Sequence, residues 1–447
     1  MEFEQEEVLE PMSPSSQYLK SSVLSLTILG VLESEVPIDD SMTMPLVKDV
    51  FLPINPRFSS IMVTGKKGVK KWKKVEVNLQ EHINFPTFPS GMSTDYYDEC
   101  FTEYLTKLAM EQLPQNRPLW EIHIFKYPTK NAAGSVIFKL HHSLGDGYSL
   151  MGALLSCLQR VDNPFDAANV PVPTVERQTQ LRLARARSQS SLIKDDKSPI
   201  RSGEDGVEFR PIVTTTTAFS IDQIREIKSR LKVTINDVIT GIIIYGTRLY
   251  MQKTSQESGK AKSTALVLLN TRAIGGYKSV DEMIKPDSEM PWGNRFAFLQ
   301  VPLPKLGAGE QENPLKFVKT ARRMIKRQRN SATVYLTGQL LNLVRKVRGP
   351  EATARYIQGT LKNSSMAISN LIGPVEQMAL ANQPVKGLYF VVAGAPQSLS
   401  VTLLSYVGKL RIAMTMEKGF MDPNTFKSCI EYAFEAISKA ALASETA

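Results

Sequence analysis

The chain has 447 residues, 42% hydrophobic and 22% charged; that is enough for two or three average domains with a sizeable core. An excess of 54 Lys and Arg over 44 Asp and Glu gives a net charge of +10, which favours anionic partners: acidic lipid surfaces, nucleic acid or phosphorylated substrates. Cys100, Cys157 and Cys429 are too few and too dispersed for a disulfide framework or a cysteine-based metal site, and they fit a reducing compartment.

The first residues are acidic (Glu2, Glu4, Glu6, Glu7), the wrong charge for a targeting peptide. No apolar run approaches the ~18–20 residues of a membrane span, so any membrane contact is expected to be peripheral. A turn-rich entry over Pro11 to Tyr18 leads to a first strand expected over Val23 to Leu32. Asp39, Asp40 and Ser41 are placed to start a helix through Val47 and Val50. Lys66 to Lys74 surround Trp72 and read as a solvated hairpin tip, with contact to lipid headgroups as the sharper reading. Thr94 to Leu113 is helical in pattern. Trp120, Ile122 and Ile124 then share one strand face, with His123 on the other.

Residues 163–210 change composition. Pro, Ser, Arg and Asp dominate, including Arg177, Arg182, Arg185 and Arg187 followed by Ser188, Ser190 and Ser191. This reads as a crossover linker between a domain over 1–162 and a second over 211–447. Its basic-serine character also suits a membrane-surface patch tuned by phosphorylation.

The second half opens with a strand over Val213 to Ala218 and a helix capped by Ser220. Thr234 starts a strongly apolar helix. Strands are expected over Ala265 to Leu269, Phe296 to Val301, Met366 to Leu371, Leu388 to Ala393, Leu399 to Tyr406 and Lys409 to Met416. Asn313-Pro314 opens a very basic helix with Lys316, Lys319, Arg322, Arg323, Lys326 and Arg327, and Asp422-Pro423 opens the last helix. Both halves mix strands and helices without regular alternation, so the fold class is α+β in two domains.

The chemistry concentrates at Ser135 to Leu150, which holds two of the four histidines. Val136, Phe138 and Leu140 alternate as in a buried strand, and Leu150, Met151, Leu154, Leu155 and Leu158 recur at helical spacing. Between them lie His141, His142, Asp146 and Gly147. A histidine at a strand end can take a proton from a hydroxyl or thiol and return it to a leaving group. Asp146 can orient that ring directly or hold the turn through an arginine, and Gly147 permits a tight backbone. A metal site competes, since His, His and Asp are all ligands, but the spacing matches no usual zinc pattern. A structural histidine pair is the plain alternative. No Gly-x-Ser-x-Gly elbow is present.

His141-His142-Ser-Leu-Gly-Asp146-Gly147 matches the HHxxxDG signature of CoA-dependent acyltransferases. The chain resembles the plant wax ester synthase/diacylglycerol acyltransferase family within them. Supporting matches are Pro11 to Tyr18, Asn55-Pro56-Arg57-Phe58, Pro118-Leu119-Trp120, Asn236-Asp237-Val238, Trp292-Gly293-Asn294, Ser369-Asn370-Leu-Ile-Gly373-Pro374 and the block from Ser405 through Phe434. A late Asp-Phe-Gly-Trp-Gly element, found in related acyltransferases of secondary metabolism, is missing from the sequence. Some plant members carry a long apolar segment between the halves; here the crossover is polar and basic.

The resemblance implies two chloramphenicol-acetyltransferase-like domains with an active-site tunnel at their interface. It implies O-acyl transfer from acyl-CoA to a long-chain alcohol or diacylglycerol, with His142 as general base and His141, Asp146 and Gly147 in support. Pro118, Leu119, Trp120, Asn236, Asp237, Asn270, Asn294, Ser369 and Asn370 would bind substrate or brace the site, as would Arg272, the expected partner of Asp146. Acyl-CoA is then a co-substrate, with no bound cofactor or metal and no nucleic-acid partner. An anionic membrane surface is expected, at the cytosolic face of the endoplasmic reticulum or at the plasma membrane. Two other functions keep the same fold: a non-catalytic acyl-CoA or lipid binder, and a soluble acyltransferase acting on a small alcohol or amine.

Overall fold

A computed structural model describes residues 9–12, 16–17, 19–64, 70–164, 194–272, 280–285, 288, 291–307, 313–329 and 333–443. The acidic start, Tyr18, Lys66 and the arginines and serines of the crossover lie outside these residues. The chain divides into two compact units. One comprises Met1–Thr174, Thr271–Arg295 and Leu371–Gly394; the other comprises Val175–Asn270, Phe296–Asn370 and Ala395–Ala447. Two late segments therefore join the first unit, a return that the linear order of elements does not contain.

In the first unit a seven-stranded sheet runs in the order β5 (Ile83–Asn84), β6 (Trp120–Phe125), β7 (Gly134–His141), β2 (Thr27–Ser34), β14 (Gln383–Ala393), β13 (Met378–Leu380) and β8 (Leu158–Arg160). Strand β7 is buried along its whole length. It pairs antiparallel with β2, Thr27 opposite His141, and with β6, Trp120 opposite Leu140. Strand β14 returns beside β2, antiparallel, with Ala393 opposite Thr27. Such a central strand buries both faces, polar residues included: Lys139 is 1% exposed and meets Glu121 at 3.4 Å.

A helix α1 covers this sheet. It runs through Thr43–Leu46, a π-helical turn Val47–Phe51, and Leu52–Ile54. Phe51 stacks on Phe58 at 4.3 Å and meets Trp120 edge-on at 5.0 Å. Helix α2 (Thr94–Met110) is capped by Ser93, whose Oγ accepts from Tyr96 N. Helix α3 (Gly147–Ser156) follows the histidine pair.

Several boundaries differ from the sequence expectation. Strand β2 begins at Thr27 because residues 21–23 bend and Lys20 bridges Ser25. Helix α1 begins at Thr43; Asp39 instead accepts from Ser41 N in a turn. Helix α3 ends at Ser156, and Leu158 opens β8. Trp72 is not on a lipid-facing tip. It sits in β4 (Lys70–Lys74), between β1 (Leu9–Pro11) and β3 (Ser60–Thr64), at 2% exposure and with the Arg57 guanidinium 5.9 Å from its ring.

The second unit has a six-stranded sheet in the order β11 (Phe296–Pro302), β10 (Thr264–Asn270), β12 (Met366–Ile372), β15 (Leu399–Tyr406), β16 (Lys409–Glu417) and β9 (Ile212–Ser220). Its helices are α4 (Ile221–Leu231), α5 (Ile235–Thr254), α6 (Leu315–Arg329), α7 (Thr333–Lys362) and α8 (Pro423–Ala443). Ser220 caps α4 by accepting from Asp222 N and Gln223 N. Asp422 Oδ1 accepts from Thr425 N at the head of α8. The sequence reading lacks α7, which is two helical stretches meeting at a kink, with Gly349 non-helical (φ 83°) and Pro350 directly after it.

Helix α5 is the spine of this unit, buried from Val238 to Arg248 without a break. Two glycines let its neighbours approach. A Cβ on Gly241 would stand 2.7 Å from Val318 Cα of α6, and one on Gly246 would stand 2.9 Å from Cys429 O and Ile430 Cα of α8. Alanine in a helix interior is normally favoured over glycine by about 1 kcal/mol. At Gly246 the clash is with backbone and reverses the sign, so Gly246→Ala is expected to destabilise by about 1–3 kcal/mol. Urea unfolding with an unchanged m-value measures this.

Candidate active site

The site is built around the end of β7 and the start of α3. Asp146 is the N-cap of α3, its Oδ1 accepting from Ser149 N at 3.0 Å. The same carboxylate binds Arg272 in a fork, Nη1 to Oδ2 at 2.7 Å and Nη2 to Oδ1 at 3.0 Å. Oδ2 also accepts from Arg295 N at 2.8 Å. Arg272 donates further to Ser149 Oγ, Gly293 O and Pro291 O. Both side chains are buried. Planar bidentate pairing is the strong form of such a contact.

This pair delivers the segment 291–295 to the histidines. Trp292 Nε1 donates to Leu144 O at 2.8 Å, and Gly293 N donates to Ser149 Oγ at 3.1 Å. Asn294 then embraces His142. Its Nδ2 donates to His142 O at 2.9 Å, and its Oδ1 lies 2.8 Å from His142 Nδ1. A carbonyl oxygen only accepts, so the amide NH₂ must face it and Oδ1 must face the ring. Nδ1 therefore carries a proton, and in the neutral ring the lone pair is on Nε2.

His141 has the opposite tautomer. The backbone N–H of Ser143 donates to its Nδ1 at 3.0 Å, so Nδ1 is the acceptor and Nε2–H donates to Ser25 Oγ at 3.0 Å. Ser143 Oγ donates to the same Nδ1 at 2.8 Å. Both nitrogens of His141 are thus engaged in holding the turn.

Burial is the first cause of the pKa shift at both rings. It holds His142 below the ordinary imidazole value, with the negative charge of Asp146 pulling the other way. His141 lies well below that value through burial and then the nearby positive charge of Lys20, His142 and Lys70. Lys20 itself is pushed down to about 8 by burial and by Lys70. Both histidines are neutral near pH 7.

The other sequence candidates fall into two groups. Leu119 O accepts from His141 N at 3.0 Å, and Pro118 O accepts from Trp120 N at 2.9 Å, so this tripeptide abuts the histidine strand. Trp120 is fully buried and donates through Nε1 to Phe58 O. Gly147 is not in the left-handed region. Its constraint is space, since a Cβ there would stand 2.9 Å from the Leu371 side chain.

Asn236, Asp237, Asn270, Ser369 and Asn370 belong to the second unit. Asp237 completes a capping box on α5, accepting from Thr234 N at 2.9 Å while Thr234 Oγ1 accepts from Asp237 N. Asn370 Nδ2 donates to Asn236 Oδ1 at 2.6 Å. Asn270 and Ser369 lie on β10 and β12. Sequence reasoning missed Ser143, Ser25 and Ser149. Ser143 directly follows the histidines and was discoverable; nothing local marks Ser25, 116 residues from its partner.

Among the described residues no group of three or more His, Cys, Asp or Glu is placed to hold a metal. No described helix is long and apolar enough to cross a membrane.

Comparison with known proteins gives the class first: the protein is an acyltransferase. Residues 52–202 match the wax ester synthase/diacylglycerol acyltransferase catalytic domain, and residues 292–438 match the WS/DGAT C-terminal domain. The chain belongs to the wax ester synthase/diacylglycerol acyltransferase family. It is 26% identical to wax ester synthase/diacylglycerol acyltransferase 7 of Arabidopsis thaliana, over 96% of this chain and 97% of that one. For wax ester synthase/diacylglycerol acyltransferase 6 of the same plant the identity is 25%, over 98% and 95%. The structure of a wax ester synthase/diacylglycerol acyltransferase from Marinobacter aquaeolei VT8 shares the fold, with a TM-score of 0.62 at 16% identity over 96% of this chain and 99% of that one.

Two substitutions test the geometry. Asn294→Asp sets a carboxylate against Nδ1 and stabilises the imidazolium, so the His142 midpoint in an NMR titration is expected to rise; a fall or no change contradicts the contact. Arg272→Ala leaves the Asp146 charge buried without its partner and is expected to cost about 3–5 kcal/mol in urea unfolding.

Proposed function

We propose that the chain transfers a fatty acyl group from acyl-CoA to a hydroxyl, making a wax ester from a long-chain alcohol or triacylglycerol from diacylglycerol. His142 is the general base in this reading. The observation that carries it is the amide of Asn294, which puts the proton of His142 on Nδ1 and the lone pair on Nε2.

Nε2 takes the hydroxyl proton as the oxygen attacks the thioester carbonyl and the C–O bond forms. The tetrahedral adduct collapses, the C–S bond breaks, and the imidazolium returns its proton to the CoA thiolate. Atoms and charge balance with no metal, cofactor or further reactant. Burial keeps His142 neutral and ready to accept at pH 7, and the nearby Asp146 charge favours the transient imidazolium. Asp146, Arg272 and Asn294 position the base, and His141 holds the backbone beneath it. Gly147 lets α3 start directly at the site.

The family resemblance supports acyl-CoA as donor, and the net charge of +10 supports peripheral attachment to an anionic membrane. We assign that attachment to the cytosolic face of the endoplasmic reticulum or to the plasma membrane.

Purified protein given labelled palmitoyl-CoA and a long-chain alcohol or diacylglycerol is expected to yield ester. His142→Ala should lower turnover by about 10²–10⁴ while its far-UV circular dichroism stays native. Comparable turnover in that variant would remove His142 from the role of base. Saturable acyl-CoA binding without product from any alcohol would instead mark a lipid binder.

A further inference from the structure

Helix α6 carries a dense run of positive charge. From Leu315 to Arg329 it has no acidic residue. Its inner face is fixed: Phe317, Val318 and Ala321 are buried, and Val318 lies against Gly241 of α5. At its C-terminal end the Gln328 amide pairs with both backbone groups of Gln300, accepting from N at 2.6 Å and donating to O. Strand β11 is the sheet edge, so this amide also closes an open edge.

The outer face is formed by Lys319, Arg322, Arg323, Lys326 and Arg327, all exposed. Positions i, i+3, i+4, i+7 and i+8 fall on one stripe covering about 140° of the circumference and about 12 Å of axis. Among the described residues, none of these five has an acidic partner. Like charges at these spacings repel, and the packing of the inner face holds them together. Beside it, α7 touches both α6 and β11 and presents Val347 at 72% exposure.

We infer that the Lys319–Arg327 face of α6 docks the protein on a bilayer surface rich in anionic phospholipid headgroups. Charge complementarity is the first reason. An exposed row of cations along one helix, none of the five residues aromatic, fits a plane of phosphates better than a single strand of nucleic acid, whose bases call for stacking side chains. Chemistry is the second, and here the inference rests on the proposed function: an acceptor alcohol or diacylglycerol resides in membranes, and a surface bound there meets it at high local concentration. Docking through headgroups also needs no spanning segment.

The test uses the full chain and vesicles, without turnover, so it can fail while ester synthesis persists, and the reverse. Partition onto phosphatidylcholine vesicles containing phosphatidylserine is expected to exceed partition onto phosphatidylcholine alone and to fall steeply with salt. Combining Arg322→Gln, Arg323→Gln and Lys326→Gln is expected to weaken partition about 100-fold. A control combining Lys260→Gln, Lys386→Gln and Lys409→Gln, exposed cations on other elements, should change it by no more than about 3-fold. Thermal melting of both variants verifies folding. Binding of the native chain that ignores lipid charge overturns the inference, as does equal partition of the α6 variant. A raised KM for acyl-CoA with vesicle partition intact would assign the helix to the phosphates of CoA instead. Displacement from vesicles by RNA at lower concentration than by added anionic vesicles would assign it to nucleic acid.

Discussion

The buried pair of Asp146 and Arg272 is the constraint on which the candidate site depends. A carboxylate removed from water is tolerated only when its acceptor sites are filled and its charge is met. Here two oxygens accept four bonds, from Ser149 N, Arg295 N and both terminal nitrogens of Arg272. One residue thereby starts helix α3, ends the histidine turn and captures a segment from 126 residues along the chain. Because Arg272 also binds Gly293 O, the following Asn294 arrives at His142 already oriented. The aspartate does not touch the imidazole; it fixes the residue that does.

Two adjacent histidines of identical chemistry become different groups through their neighbours. A backbone N–H can only donate, so Ser143 makes Nδ1 of His141 an acceptor; a backbone carbonyl can only accept, so His142 O turns the Asn294 amide and makes Nδ1 of His142 a donor. Main-chain groups cannot change role, and this makes both tautomers robust. The remaining histidines are absorbed by structure. His82 stacks on Trp120 at 4.1 Å and meets Trp120 O. His123 lies between Tyr104 and Glu121. Burial alone would push the Glu121 carboxyl up, but His123, Lys139 and Arg117 outweigh it and hold it at about 2. That network ties the sheet to α2 through Tyr104.

The second unit uses charge differently. Inside, Arg248 is fully buried and satisfied by Leu303 O and Pro304 O, with burial bringing its pKa down to about 10. Outside, α6 exposes Lys319, Arg322, Arg323, Lys326 and Arg327. The same apolar spine, α5, supports both, because glycines at positions 241 and 246 allow α6 and α8 to pack closely against it.

Period and composition by themselves determined the mixed α+β class, most strands and helices, the caps at Ser220, Thr234 and Asp422, and the location of the polar cluster at the end of a buried strand. These are local properties, set by alternation, 3.6-residue spacing and capping chemistry, so they are legible along the chain. Helix α7 was not, its two stretches meeting at a kink at Gly349 and Pro350; nor was the burial of Trp72, whose lysine neighbours suggested solvent. The family resemblance named Arg272 as the expected partner of Asp146, and held Asn294 and Asp237 only as residues that bind substrate or brace the site. Asp237 is a local cap, three residues from Thr234; only tertiary structure decided that Asp146 grips Arg272 and not an imidazole, and that Asn294 meets His142. Those assignments depend on which groups meet across more than a hundred residues and on their donor or acceptor character, and neither is encoded in local spacing.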